Sequence, residues 1–161
     1  MVWSDPPRAF VKIVGRGTLQ AAPDFEALLK RLETQGHASV VFELSSCVLM
    51  DSTFVGKLVQ FALRRAETTP PSEGCLVLVN PGEHIITLLD TMYVLELFKV
   101  LHDETMATPD TAAESVDCQS HSREELNRCC LEAHRVLAAL DPSNAAKFQD
   151  VIRYLETQPV G

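Results

Sequence analysis

Along residues 8–101, short apolar runs alternate with stretches in which apolar residues return every three to four positions. Residues 8–14 (RAFVKIV) alternate and are rich in β-forming types, which predicts a strand ending at the turn Gly15-Arg16-Gly17-Thr18. Pro23 stands where a first helical turn begins, and Phe25, Leu28, Leu29 and Leu32 recur at helical spacing until Gly36. Residues 39–44 (SVVFEL) and 74–79 (GCLVLV) have the short β-branched composition of strands, and between them Val55, Leu58, Val59, Ala62, Leu63 and Ala66 mark a second helix. Asn80-Pro81-Gly82-Glu83 predicts a helix start with Asn80 as its cap, and Ile85, Ile86, Leu88 and Leu89 give that third helix its apolar face. Residues 97–101 form a last strand. The order β, α, β, α, β, α, β, with short connections and nearly continuous apolar strands, predicts a mostly parallel sheet covered by helices.

The pattern changes after residue 102. Residues 103–121 (DETMATPDTAAESVDCQSH) are acidic and poor in large apolar side chains, so they read as a linker with one short helix around 111–116. Ser122-Arg123-Glu124-Glu125 then forms a capping box, followed by Leu126, Cys130, Ala133, Leu137 and Leu140 at helical spacing. Asp141-Pro142 restarts a helix carrying Ala145, Phe148, Val151, Ile152 and Leu155, so the pair predicts an αα-hairpin. Two short helices with one apolar face each need something to dock on. The chain therefore divides into an α/β domain (1–102), an acidic linker (103–121) and a helical extension (122–161). Packing of the extension on the domain over the second helix is expected; mediating a homodimer and adding a docking surface are the alternatives.

Composition narrows the function. A chain of 161 residues with 46% hydrophobic and 22% charged residues is an ordinary globular size and mix. The net charge of −8 is uneven: residues 8–101 hold nine Lys or Arg against ten Asp or Glu, residues 102–161 five against eleven, and Asp5 supplies the rest. An acidic extension and no basic cluster argue against a nucleic-acid partner. No apolar run approaches the roughly 20 residues of a membrane helix, and the opening MVWSDPP has no leader-like character. Five cysteines without CxxC or zinc spacing predict reduced thiols in a cytoplasmic protein and no metal site. Cys47 and Cys75 read as small core residues, and neighbours Cys129 and Cys130 point about 100° apart on a helix, poorly placed to bridge.

The residues that raise a chemical question are 47–58, CVLMDSTFVGKL, where a strand hands over to a helix at Asp51-Ser52-Thr53. No Gly-x-Ser-x-Gly elbow is present, His37, His84, His102, His121 and His134 are scattered without ligand spacing, and Glu43 lies within a strand. Gly15-x-Gly17 lacks what a phosphate loop needs. Neither an enzyme nor a cofactor is expected. Asp51 or Ser52 can cap the second helix, worth about 1 kcal/mol. Ser52 can also accept phosphate there, where the helix dipole favours the added charge of about −2. These two roles are compatible.

Residues 40–67, VVFELSSCVLMDSTFVGKLVQFALRRAE, resemble the core signature of STAS domains, the anti-sigma-factor antagonist family, in which a strand leads into Asp-Ser-Ser or Asp-Ser-Thr and then a helix. Residues 76–101, LVLVNPGEHIITLLDTMYVLELFKVL, are similar to that family's next strand, helix and closing strand. The resemblance implies a STAS-like mixed or mostly parallel sheet of about four to five strands, here with a C-terminal αα-hairpin. It also implies partner switching: a serine kinase that is itself the anti-sigma factor phosphorylates Ser52, the unmodified form binds that kinase, and a phosphatase resets the switch. Thr53 is the lesser acceptor. The family usually has Gly after the second hydroxyl, where this chain has Phe54. Phe54 and Phe61 flank the apolar face of the second helix, with Lys57, Gln60 and Arg64 on its outer face. They read either as boundary core residues or, with Asp51 and Lys57, as a partner-binding patch beside Ser52. A non-phosphorylated scaffold or ligand-sensing module, in which Ser52 only caps, is the alternative function.

Overall fold

The computed structural model describes residues 8–37, 39–68, 76–103, 105 and 116–158, together with the backbone of residues 2–5. Five strands form the main sheet in the order β1-β2-β4-β6-β7: β1 is Val2–Asp5, β2 Arg8–Lys12, β4 Ser39–Glu43, β6 Leu76–Val79 and β7 Phe98–Leu101. β2, β4, β6 and β7 are parallel, with Ala9 opposite Val40, Val40 opposite Leu76 and Leu76 opposite Phe98. Parallel neighbours need a crossover, and helices α1 (Ala22–Thr34), α2 (Ser52–Thr68) and α3 (Glu83–Thr91) lie in the three connections. The predicted class, α/β with a mostly parallel sheet, is what forms.

Three local features differ from the expectation. β1 pairs antiparallel with β2 at the sheet edge, although the opening residues gave no strand signal. The first predicted strand ends at Lys12, and the residues expected to form its turn become a strand: Gly15 has a φ of +83° that suits glycine, and β3 (Gly15–Gly17) pairs with β5 (Cys47–Met50) in a separate two-stranded sheet. Asn80 does not cap α3. It takes a left-handed φ of +54° and bonds across to Asp103 through both its Oδ1 and its Nδ2, joining the ends of β6 and β7, while Gly82 is the residue that precedes α3.

The C-terminal hairpin consists of α4 (Arg123–Leu140) and α5 (Pro142–Glu156). The Ser122 Oγ accepts from the Glu125 amide at 3.1 Å and Glu125 accepts from the Ser122 amide, the predicted capping box. Asp141 caps α5, with Pro142 in its first turn. Leu137 and Phe148 of the hairpin join one apolar core with Phe42 and Leu78 of the sheet and Leu58 and Phe61 of α2. Residues 116–120 have no regular structure, and the rest of the expected linker helix, like Cys75, lies outside the described residues. Cys47, Cys118, Cys129 and Cys130 are free thiols.

Candidate functional site

β5 delivers the chain to the start of α2, and Asp51 fixes the handover. Its Oδ1 accepts from the Phe54 amide at 2.9 Å, and its Oδ2 accepts from the Leu19 amide at 2.7 Å. Asp51 therefore caps α2 and ties it to the segment after β3. Its own amide donates to the Gly17 carbonyl at 2.9 Å. With this capping done by Asp51, the Ser52 side chain is not used as a cap.

The Ser52 hydroxyl, half-buried in the first turn of a 17-residue helix, lies 2.8 Å from Nε2 of His134 on α4. The other ring nitrogen, Nδ1, is 2.6 Å from the Cys130 carbonyl. A carbonyl only accepts, so Nδ1 carries a proton; in the neutral ring Nε2 then accepts and Ser52 donates. Burial disfavours the charged ring, but the Cys130 thiol and carbonyl and the Asp51 charge outweigh it, and His134 titrates above the ordinary histidine range. The Cys130 thiol moves the other way: burial opposes ionisation, yet His134 and the hydroxyl of Thr53, 3.5 Å from its sulfur, bring it below the usual thiol value. Thr53 is buried under this contact.

One turn further, Gly56 faces Ala133 of α4. A Cβ at Gly56 would fall 2.7 Å from the Ala133 carbonyl oxygen and 2.8 Å from its Cα, so only glycine permits the two helices to come this close. Beside it Lys57, expected on an outer face, is only 1% exposed. Its ammonium is paired with Glu26 of α1 and, at 2.7 Å, with Glu132 of α4. Arg128 of α4 bridges the same two carboxylates at 3.2 and 3.3 Å. Burial alone would raise the Glu26 carboxyl, but hydrogen bonds from Lys57 and Lys30 and the charges of Lys57 and Arg128 hold it at about 2.

Phe54 and Phe61 point inward. Phe54 stacks on Phe25 at a centroid distance of 4.1 Å, and its ring lies so close to Gly17 that a Cβ there would fall 2.8 Å away. Phe61 is edge-on to Phe42 and fully buried. The outer-face assignment of Lys57 is thus corrected, because α4 covers it; Gln60 and Arg64 are half-buried, Arg64 meeting Glu33. With α4 in place, Phe54, Lys57 and Phe61 present no open surface beside Ser52. Sequence reasoning missed His134, Cys130, Glu26 and Glu132. Their separation along the chain, 82 residues between Ser52 and His134, leaves no local spacing to detect. Glu43 spends one carboxylate oxygen on the Ser45 amide and takes no part in the site.

A second feature lies on the far side of Phe54: a cavity of about 470 Å³ lined by Lys12, Arg16, Phe25, Leu28, Phe54 and Val116, among others. Among the described residues no cluster of three or more His, Cys, Asp or Glu could hold a metal, and no helix is long and apolar enough to cross a membrane.

No protein-family model and no curated protein sequence matches the chain. Solved structures do. The unphosphorylated form of the anti-sigma factor antagonist SpoIIAA is similar with a TM-score of 0.51 at 17% identity, over 65% of this chain and 88% of that one. A Thermotoga maritima protein provisionally described as an anti-sigma factor antagonist is similar with a TM-score of 0.56 at 15% identity, over 65% of this chain and 86% of that one.

Proposed function

The chain has a STAS-like fold with a C-terminal helical extension, and from that premise we propose that it is an anti-sigma-factor-antagonist-like regulator that switches partners through phosphorylation of Ser52. The observation that carries this reading is the division of labour at the helix start. Asp51 satisfies the cap, so the Ser52 hydroxyl is not spent on it and is held instead by His134, in the first turn of α2 where the helix dipole favours an anion. Its two solved neighbours are described as anti-sigma factor antagonists. The partner is then an anti-sigma factor that acts as a serine kinase, moving the γ-phosphoryl group of ATP to Oγ as the hydroxyl proton leaves, with a cognate phosphatase to hydrolyse the ester. The chain itself is a substrate and binding partner in the cytoplasm, organised as a domain (1–102), a linker (103–121) and a hairpin (122–161). It uses no cofactor.

Peptide mass spectrometry on protein from its own cells, under growth and under stress, tests the reading. Phosphate on Ser52 that changes with condition, and loss of a co-purifying kinase from Ser52→Asp, are the expected results. Absence of phosphate under all conditions, with the partner retained by Ser52→Asp, would overturn it. The cavity beside Phe54 favours one second reading, a ligand-sensing STAS module: apolar walls with two cations, Lys12 and Arg16, and two acids, Asp24 and Asp117, suit a small amphiphile with a zwitterionic or polar end. A thermal shift with such compounds, abolished by filling the cavity with Leu28→Trp, would favour it.

A further inference from the structure

We propose that the outer face of α2 is a helix-docking groove whose external occupant is an amphipathic helix of a partner protein carrying the pattern acid, small residue, hydrogen-bonding residue, and that α4 is an internal occupant which that helix displaces. The inference rests on the reading of the Ser52 face as the partner surface. It does not require that Ser52 be phosphorylated.

The pattern is read directly from the contact. Glu132, Ala133 and His134 are consecutive: the acid pairs with Lys57, the small residue sits against Gly56, and the imidazole meets Ser52. A larger residue over Gly56 meets backbone, which cannot move aside as a flexible side chain can. An acid is favoured because Lys57 is deeply buried whenever the groove is occupied, and a carboxylate from the docked helix accepts a further bond from its ammonium beside Glu26.

The charges show how α4 can leave. Lys57 and Glu26 belong to the domain, and Arg128 and Glu132 belong to the hairpin. Each half is neutral and internally paired, so separation strands no lone buried charge on either side. The hairpin also holds itself together: Phe148 of α5 packs edge-on to the His134 ring at 4.9 Å, and Arg135 pairs with Glu156 at 2.7 Å. Among the described residues its buried polar tie to the domain beyond this face is Asn144, which donates to the Met92 carbonyl at 2.7 Å. Release also links to Ser52: with α4 in place its hydroxyl is half-buried and bonded to His134, so a kinase reaches Oγ only when that contact opens.

Residues 102–122 tether α4 to β7. A tether of about 20 residues gives an effective concentration on the order of 1 mM, so if a helix binds the open groove with a Kd of about 10 μM, the internal hairpin weakens it roughly 100-fold.

The test uses the full chain and a labelled peptide of residues 122–158. Ala133→Leu in the chain should evict α4, read by hydrogen exchange as lost protection in α4 with β4 and β6 still protected. That chain should then bind the wild-type peptide roughly 100-fold tighter than the wild-type chain does, and should reject a peptide carrying Ala133→Leu. If Ala133→Leu prevents folding, Glu132→Lys in the chain, which sets like charges against Lys57, replaces it. An evicted chain with an intact sheet that binds neither peptide, or both equally, overturns the proposal. So does a wild-type chain that dimerises by exchanging hairpins and excludes the peptide, because the occupant is then a second copy. Ser52 phosphate is measured separately by intact mass, so loss of the phosphoswitch leaves the groove standing, and failure of the groove leaves the phosphoswitch standing.

Discussion

Replacing Lys57 with methionine should destabilise the chain by about 3 kcal/mol, and the reason is Glu26 rather than Lys57. Removing one member of a buried ion pair typically costs 3–5 kcal/mol, because its partner is left charged and desolvated. Glu26 has a side chain only 8% exposed, but it keeps Lys30 at 3.0 Å and Arg128 at 3.2 Å, so the cost belongs at the lower end of that range. Glu132 adds little, since it is 39% exposed and retains Arg128. At the usual 2–4 °C per kcal/mol for a chain of this size, Tm should fall by about 10 °C. The double variant Lys57→Met with Glu26→Leu removes both charges and should recover to within about 1 kcal/mol of the wild type. Urea unfolding at pH 7 measures both. A single variant within 1 kcal/mol of wild type, or a double variant less stable than the single one, would refute the view that Glu26 depends on this ammonium.

Glu26 also sets an acid limit: its carboxyl is lowered from 4.5 to about 2, so its stabilisation is complete above pH 4.5 and is lost as pH falls toward 2, on the order of 3 kcal/mol in all. Glu26→Gln should flatten that limb in urea melts between pH 2 and 5. His121 hydrogen-bonds Asp24 at 2.9 Å and Glu125 at 3.1 Å, and the Asp24 bond, aided by Glu125 against partial desolvation, raises its titration above the ordinary histidine value. Its contribution is therefore full below about pH 6.5 and fades as pH rises through the raised value; NMR titration of the His121 ring and exchange of amides 116–122 should show both, and titration at or below the ordinary value would count against it. Phe54→Ala should cost about 3–5 kcal/mol by thermal or urea unfolding, since it removes a stacked ring from the core, whereas a surface anchor would cost little. Ser52→Ala should leave the sheet intact but loosen α4 by about 1–2 kcal/mol in hydrogen exchange, because it leaves the His134 ring without its partner.

The fold was legible wherever a segment buries a regular face. Phe25, Leu29 and Leu32 repeat at the period of α1, and the runs ending at Leu44 and Val79 have the composition of strands buried on both sides, so each element could be placed from local pattern. Asn80 misled because Asn-Pro-Gly-Glu has the chemistry of a cap, but the same amide can reach two backbone groups of the neighbouring strand end, and the left-handed backbone at Asn80 favours that use. β3 was invisible because three residues, two of them glycine, carry no periodicity. Its partner β5 lies 32 residues away in the chain, at Cys47 for Gly15, and non-local pairing is what fixes it.

The site was half legible. Asp51 and Ser52 announced themselves as a helix start, and that reading stands on local chemistry. What covers them did not, because Lys57, Gln60 and Arg64 read as a solvent face, and lysine is almost never fully buried unless it is paired. The pairing that reverses the reading comes from Glu26 on α1 and Glu132 on α4, charges that each look like ordinary surface residues on their own helix. One residue did carry a signal. Gly56 lies inside a helix, where glycine costs about 1 kcal/mol relative to alanine, and that cost makes sense only if something must approach the backbone closely. Ala133 is that something. A notch built by glycine, a buried cation and a hydroxyl within two turns of α2 is a specific surface. The hairpin that fills it carries its own counter-charge, so the same surface can be covered or open without a lone buried ion in either state.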